Sequence, residues 1–260
     1  MDPRHLLDQL SEMQVPSAIL ADVPSMPIGV QSLLAYGSRA RGDAVDSSDL
    51  DLLAIVPFAR PSLLGGLVSV SFYTREQLAT AKGTLFGAHL SRDAKVLWDP
   101  DGSLAEAVSS MGDVDVDRLF SRVRAMSEVF TNPERDLPKY LPGLLREARY
   151  LLRSCLYADA IRSGRPCFSV RELATRYGDP ALADLLASRQ DGAPSQRAHE
   201  ECLGRLRRLI GPFPQSRHGS LEAVIVNEWE NPSDVLSISF MALGITGAGG
   251  DYAEVEKILL

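Results

Sequence analysis

The spacing of hydrophobic residues changes near residue 115, from short strand-like runs before it to helical spacing after it. In the first part, "DLDLLAIV" (49–56) is apolar on both faces towards its end, which is typical of a strand covered on both sides. "LVSVSFYT" (67–74) alternates strictly, and Thr74 is placed to cap a following helix. The alternation predicts Val68, Val70 and Phe72 on one face and Ser69, Ser71 and Tyr73 on the other.

The second part has apolar residues at a period near 3.6 between Leu144 and Ala160, which predicts a long helix ended by Gly164. Ser169 and Glu172 then have the spacing of a capping box and predict the start of another helix. "RAHEECLGRLRRLIG" and "DYAEVEKILL" are two further amphipathic stretches.

These patterns predict an α+β fold in two domains. Residues 1–115 form a small mixed sheet with flanking helices, and residues 116–260 form an all-α helical bundle. A chain of 260 residues is long enough for both cores.

The composition indicates whether the protein enters a membrane, is secreted or contains disulfides. No run of 18 apolar residues is present, so we expect no membrane span, and the N-terminus does not have the pattern of a secretion signal. Cys155, Cys167 and Cys202 are odd in number and lack CxxC spacing, which favours reduced thiols over a disulfide framework. We therefore expect a cytoplasmic protein, of an oligomeric state that the sequence leaves open.

The net charge of −7 hides an uneven distribution. Residues 117–218 carry 18 basic and 12 acidic side chains, whereas residues 219–260 carry 1 basic and 7 acidic ones. The basic block attracts either a phosphate-bearing partner or the acidic segments of its own chain. A nucleic-acid-binding module is the weaker interpretation, because the block lacks interleaved aromatic residues for stacking.

The pair Asp49 and Asp51 is the most informative chemical feature. If both lie on a strand, their side chains share one face while Leu50 points into a core. Two carboxylates on one face attract a hard cation such as Mg²⁺. The Gly37-Ser38 turn, which ends the preceding strand, offers backbone N–H groups and a hydroxyl to phosphate.

Arg39 and Arg41 follow that turn and have the chemistry to pair with further phosphate oxygens. Together with the acid pair, they predict a site that binds a nucleoside triphosphate through its metal-bridged phosphates.

The order Gly37-Ser38, ten intervening residues, then Asp49-Leu50-Asp51 resembles the signature of the DNA polymerase β-like nucleotidyltransferase superfamily. "GSRARG" and "SDLDLLAIV" are most similar to its minimal bacterial branches. Residues 141–190 resemble, in pattern, the helical C-terminal domain of bacterial aminoglycoside nucleotidyltransferases. In that family the cleft between domains holds the acceptor, so the resemblance implies that the arginine-rich block forms one wall of the cleft.

The resemblance implies Mg²⁺-dependent transfer of a nucleoside monophosphate from a triphosphate to an acceptor hydroxyl. Asp49 and Asp51 would be catalytic and would hold the metals. Gly37 and Ser38 would position the β- and γ-phosphates, and Arg39 or Arg41 would neutralise the leaving pyrophosphate. The acceptor stays open among an antibiotic, a small metabolite, a tRNA end and a protein side chain.

The sequence departs from this superfamily at its third carboxylate, where Ser69, or less favourably Ser71, stands in the matching strand. In the first alternative, a carboxylate from elsewhere in the chain replaces the missing one, and Glu76 and Asp93 are the nearest candidates in sequence. Alternatively two acids suffice, since phosphoryl-group chemistry depends mostly on positioning and electrostatics. As a third alternative, the domain has lost catalysis and binds a nucleotide or a protein partner. We expect His89 to be a packing residue rather than a catalytic base.

Overall fold

The computed structural model describes residues 3–187, 193–231 and 233–244. The chain divides into two compact units, Met1–Val114 and Asp115–Leu260. The predicted amphipathic stretch "DYAEVEKILL" lies outside the described residues.

The first unit contains a five-stranded sheet and short helices. Its elements in chain order are α1 (Pro3–Glu12), α2 (Ser17–Leu20), β1 (Ser32–Tyr36), α3 (Gly37–Arg41), β2 (Leu50–Ile55), β3 (Leu63–Gly65), β4 (Val68–Tyr73), α4 (Arg75–Ala79), α5 (Leu85–Asp93), β5 (Lys95–Trp98) and α6 (Ser103–Ser109).

The strand order is β3-β4-β2-β1-β5. β2 and β4 are parallel, whereas the other three neighbouring pairs are antiparallel, so the sheet is mixed as predicted. One face carries Leu50, Val68 and Val70, which pack into the main apolar core together with Leu6 and Leu10 of α1. The predicted alternation along β4 is confirmed, because this face takes Val68, Val70 and Phe72.

The opposite face of the sheet is partly covered by α5. The ring of Phe86 lies 5.7 Å from that of Tyr36 and 5.9 Å from that of Tyr73. The corner of this face that carries Asp51 and Ser69 keeps part of its surface exposed. Next to it, at the sheet edge, Leu64 is 66% exposed.

The second unit is helical throughout its described residues. Its elements are α7 (Val116–Met126), a 3₁₀ turn (Ser127–Phe130), α8 (Pro133–Arg162), α9 (Val170–Arg176), α10 (Ala181–Leu185), α11 (Gln196–Ile210), α12 (Leu221–Glu228) and α13 (Asp234–Ala242). Together the two units confirm the predicted α+β fold with a helical second part.

The long helix α8 is the centre of the second unit. It kinks at Tyr140, where φ is −124° and ψ is 17°, because Pro142 has no N–H to give to the preceding turn. It ends before Gly164, whose φ of +70° suits a residue without a side chain. The capping prediction at α9 is also confirmed, since the Ser169 side chain accepts a hydrogen bond from the Glu172 backbone N–H.

Two basic side chains of the block pair with acidic residues of this unit. Arg122 of α7 donates twice to Asp234 of α13, at 2.7 Å from both Nε and Nη2. The Lys139 ammonium lies 3.0 Å from Glu222 of α12. Both acids belong to the acidic segment after residue 219, so these pairs fit the interpretation that the block attracts acids of its own chain.

In the described parts of the chain, no helix has the length and apolar character needed to cross a membrane.

Candidate active site

Gly37 and Asp51 are in direct contact, and this contact defines the candidate site. β1 and β2 pair so that Tyr36 faces Asp51, which places the turn after β1 against the Asp51 side chain. A Cβ atom built on Gly37 would lie only 2.7 Å from Asp51 Oδ2. Gly37 also has a φ of +77°. Glycine is therefore required here both by backbone conformation and by the space that the carboxylate occupies.

Asp49 directly precedes the strand, which begins at Leu50. The Leu50 backbone N–H donates to the Leu67 carbonyl at 2.7 Å, and its side chain is fully buried in the core, as predicted. The Oδ1 atom of Asp49 is buried. Whether the two carboxylates share one side of the chain stays a prediction, because Asp49 lies one residue outside the strand.

Arg39 holds the loop that leads to the acid pair. Its guanidinium donates to the Ser48 carbonyl from Nε at 3.0 Å and from Nη2 at 2.7 Å. Nη2 also reaches the carbonyls of Val45 at 3.3 Å and Asp46 at 3.4 Å. Burial lowers the pKa of Arg39, and the negative charges of Asp49 and Asp46 partly offset this. These contacts give Arg39 a structural part, and its predicted contact with phosphate stays a prediction.

Arg41 joins α3 to α5. Its Nε lies 3.2 Å from Asp43 Oδ1, and its Nη1 lies 3.2 Å from Asp93 Oδ2. Nη1 is also 3.1 Å from His89 Nε2. Two carboxylates therefore face this guanidinium, and Asp93, one of the candidate replacement acids, is already an ion-pair partner.

His89 is a packing residue, as predicted. Burial lowers its pKa to about 3, and the Arg41 charge acts in the same direction. The ring is therefore neutral, and its Nε2 accepts from Arg41. Its ring also packs edge-on against Tyr36 at 6.0 Å. Burial raises the pKa of Asp93, against the opposing effect of Arg41.

Ser69 is the residue beside Asp51 on the neighbouring strand. The parallel register of β2 and β4 pairs Asp51 with Ser69, whereas Ser71 lies two pairs further along, opposite Leu53, and is only 2% exposed. Glu76 follows the far end of β4, past the Ile55–Tyr73 pair. At roughly 3.3 Å per residue, the four steps from residue 51 to residue 55 alone cover about 13 Å. Glu76 is thus too distant to replace the third acid.

The predicted magnesium site would use the carboxylates of Asp49 and Asp51. Among the described residues no group of three or more His, Cys, Asp or Glu side chains is arranged to hold a metal. Mg²⁺ is usually held by one or two carboxylates, with waters and substrate phosphates filling its other positions. Asp51 and Asp49 supply two carboxylates. In the predicted site they lie next to the Gly37-Ser38 turn, which would bind phosphate.

Sequence reasoning did not predict the contacts that Arg39 and Arg41 make within the chain. The stretch "SRARGDAVDSS" indicates a turn, but nothing in it shows that one arginine is 6% exposed and bound to carbonyls. The partner of the other arginine, Asp93, lies 52 residues away in the chain.

Neither a protein-family model nor a curated protein matches the sequence. Among solved structures, the chain is similar to a nucleotidyltransferase-like protein from Exiguobacterium sibiricum 255-15. The two are 15% identical, and the match covers 78% of this chain and 74% of that one with a TM-score of 0.31. The similarity concerns the fold alone.

Proposed function

We propose that the protein is a nucleotidyltransferase, which moves a nucleoside monophosphate from a nucleoside triphosphate to an acceptor hydroxyl with Mg²⁺ while pyrophosphate leaves. The observation that carries this proposal is the contact between Gly37 and the Asp51 carboxylate. A metal-binding group and a turn suited to phosphate are thereby adjacent, as a metal-bridged triphosphate requires.

In this proposal, different residues of the chain bind the metal, bind the phosphates and position the loop. Asp51 and Asp49 hold the metal, and the Gly37-Ser38 turn orients the β- and γ-phosphates with backbone N–H groups and the Ser38 hydroxyl. Mg²⁺, when bound, supplies positive charge at the phosphate oxygens. Arg39 is a positioning residue, because it fixes the loop from residue 45 to residue 48 that precedes Asp49.

Arg41 contributes little positive charge to the phosphates in this arrangement. Asp43 and Asp93 both lie within 3.2 Å of its guanidinium. A guanidinium that faces two carboxylates attracts a further anion weakly unless one of them leaves. Neutralisation of the leaving pyrophosphate therefore depends mainly on the metal.

The alternative function is a catalytically degenerate domain that binds a nucleotide or a protein partner. Ser69 favours it, because a hydroxyl next to Asp51 replaces a potential metal ligand or base. A missing general base lowers a rate by roughly 10²–10⁴-fold. A domain with this loss would still bind a triphosphate.

The two functions separate in one experiment. The purified protein is incubated with Mg²⁺ and labelled ATP, CTP, GTP or UTP, with acceptors from the four open classes, and pyrophosphate release is measured. Calorimetry on the same samples reports nucleotide binding.

The double variant Asp49→Ala with Asp51→Ala is the test variant, and Asp46→Ala is the matched control, since Asp46 is exposed in the same loop. If pyrophosphate release is lost in the double variant and kept in the control, the result would support nucleotidyl transfer. Binding without release, for every nucleotide and acceptor, would support the degenerate domain. Absence of both would refute transfer and nucleotide binding, and would leave only a degenerate domain that binds a protein partner.

A further inference from the structure

Ser69 is a hydroxyl placed where an acceptor hydroxyl is needed. It is the cross-strand partner of Asp51, so both side chains stand on the same face of the sheet. Neighbouring strands are about 4.8 Å apart. A phosphate bound at Asp51 would therefore lie about one strand spacing from Ser69, close enough for the Ser69 hydroxyl to reach it.

Ser69 is less buried than the other serine on its face of β4. It is partly exposed, whereas Ser71 on the same face is 2% exposed. In the described ranges the Ser69 hydroxyl makes no hydrogen bond, so no other residue competes for its oxygen. Its neighbour on the other side is Leu64, which cannot accept a nucleotidyl group.

We propose that Ser69 is itself an acceptor, so that the protein attaches a nucleoside monophosphate to its own chain. This inference rests on the proposed function, because it uses the same bound triphosphate. Ser69 Oγ forms a bond to the α-phosphorus, the bond from that phosphorus to the bridging oxygen of the β-phosphate breaks, and pyrophosphate leaves. The hydroxyl proton passes to solvent water. The product is a phosphodiester on Ser69, with no change of oxidation state.

The placement has a consequence for stoichiometry. A reacting oxygen must approach the phosphorus to about 3–3.5 Å, and a residue fixed beside the metal ligand meets this requirement without diffusion. The attached nucleotide then occupies the corner that the next triphosphate needs. Each chain therefore reacts once and becomes blocked.

The test is intact-mass spectrometry of the full chain after incubation with each nucleoside triphosphate and Mg²⁺, without added acceptor, followed by peptide mapping. We expect one added nucleoside monophosphate per chain, located on Ser69, with one pyrophosphate released per chain. Ser69→Ala should lose the adduct entirely, and Ser71→Ala should keep it. Thermal unfolding of both variants checks that they fold, and Ser69→Thr, which retains a hydroxyl, should still be labelled.

The outcomes distinguish the inference from the proposed function. Pyrophosphate release with an external acceptor, but no adduct, overturns self-modification and leaves the transferase intact. An adduct that persists in Ser69→Ala, or that maps elsewhere, also overturns it. Nucleotide binding without adduct or release overturns transfer to any acceptor, and absence of binding refutes both.

Discussion

Replacement of Gly37 by alanine tests the geometry on which the site depends. Two costs arise in this variant. An L-residue at a φ of +77° is strained by roughly 1–2 kcal/mol, of which about 0.4–1 kcal/mol is offset by the lower entropy of the unfolded chain. The second cost is the contact of the new methyl group with Asp51 Oδ2 at 2.7 Å, and overpacking of this kind costs about 1–3 kcal/mol.

Gly42 offers a matched control for the first cost. Its φ is +87°, and a Cβ atom there would meet nothing within 4 Å. Gly42→Ala should therefore lower the free energy of unfolding by no more than about 1.6 kcal/mol. Gly37→Ala should lower it by a further ~1–3 kcal/mol, because it adds the contact with the carboxylate.

The assay is urea denaturation of both variants and of Gly37→Ala combined with Asp51→Ala. Because the second change removes the clashing carboxylate, the double variant should regain at least 1 kcal/mol relative to the sum of the single effects. Equal destabilisation by the two glycine variants, or strict additivity with Asp51→Ala, would refute the proposed contact. Nucleotide binding by calorimetry should fall in Gly37→Ala and stay unchanged in Gly42→Ala.

Three further predictions concern other groups. Burial raises the pKa of Glu147 from 4.5 to about 7, so the folded chain holds this proton more tightly, and the stability that the proton provides is lost as pH rises through 7. Glu147→Gln should remove this loss and raise the free energy of unfolding at pH 8 by up to about 3 kcal/mol. The gain of the variant over wild type should be larger at pH 8 than at pH 5, and an equal gain at both would contradict the prediction. Ser69→Asp should end self-labelling and raise pyrophosphate release with an external acceptor by on the order of 10²-fold; an unchanged rate would show that a third carboxylate has no use here. Arg39→Lys should cost about 1–3 kcal/mol in urea denaturation, because an ammonium cannot make the forked contacts with the loop carbonyls, whereas Arg197→Lys at an exposed position should cost nothing measurable.

Much of the first unit follows from local patterns. Strict alternation along β4 is enough to place Ser69 and Val70 on opposite faces, since strand geometry enforces a period of two. The predicted cap is present too, because Thr74 accepts a hydrogen bond from the Gln77 backbone N–H. Such features depend only on residues close together in the chain.

Contacts between distant residues explain what the sequence could not provide. The ion pair between Arg41 and Asp93 depends on how α3 and α5 pack, and charge alone does not identify the partner. The 2.7 Å approach of a Gly37 Cβ to Asp51 depends on the register of β1 and β2, and a shift of two residues would keep the same side chains on each face while separating Gly37 from Asp51.

The shortness of β3 has a consequence for how the protein behaves in a crowded solution. This edge strand has three residues, Leu63–Gly65, and its outer side is not paired within the sheet. A long, flat edge offers a row of backbone groups to which a strand from another molecule can add, and very short edge strands limit such pairing. The three residues of β3 therefore leave little edge for a foreign strand to pair with, which discourages aggregation through this side of the sheet.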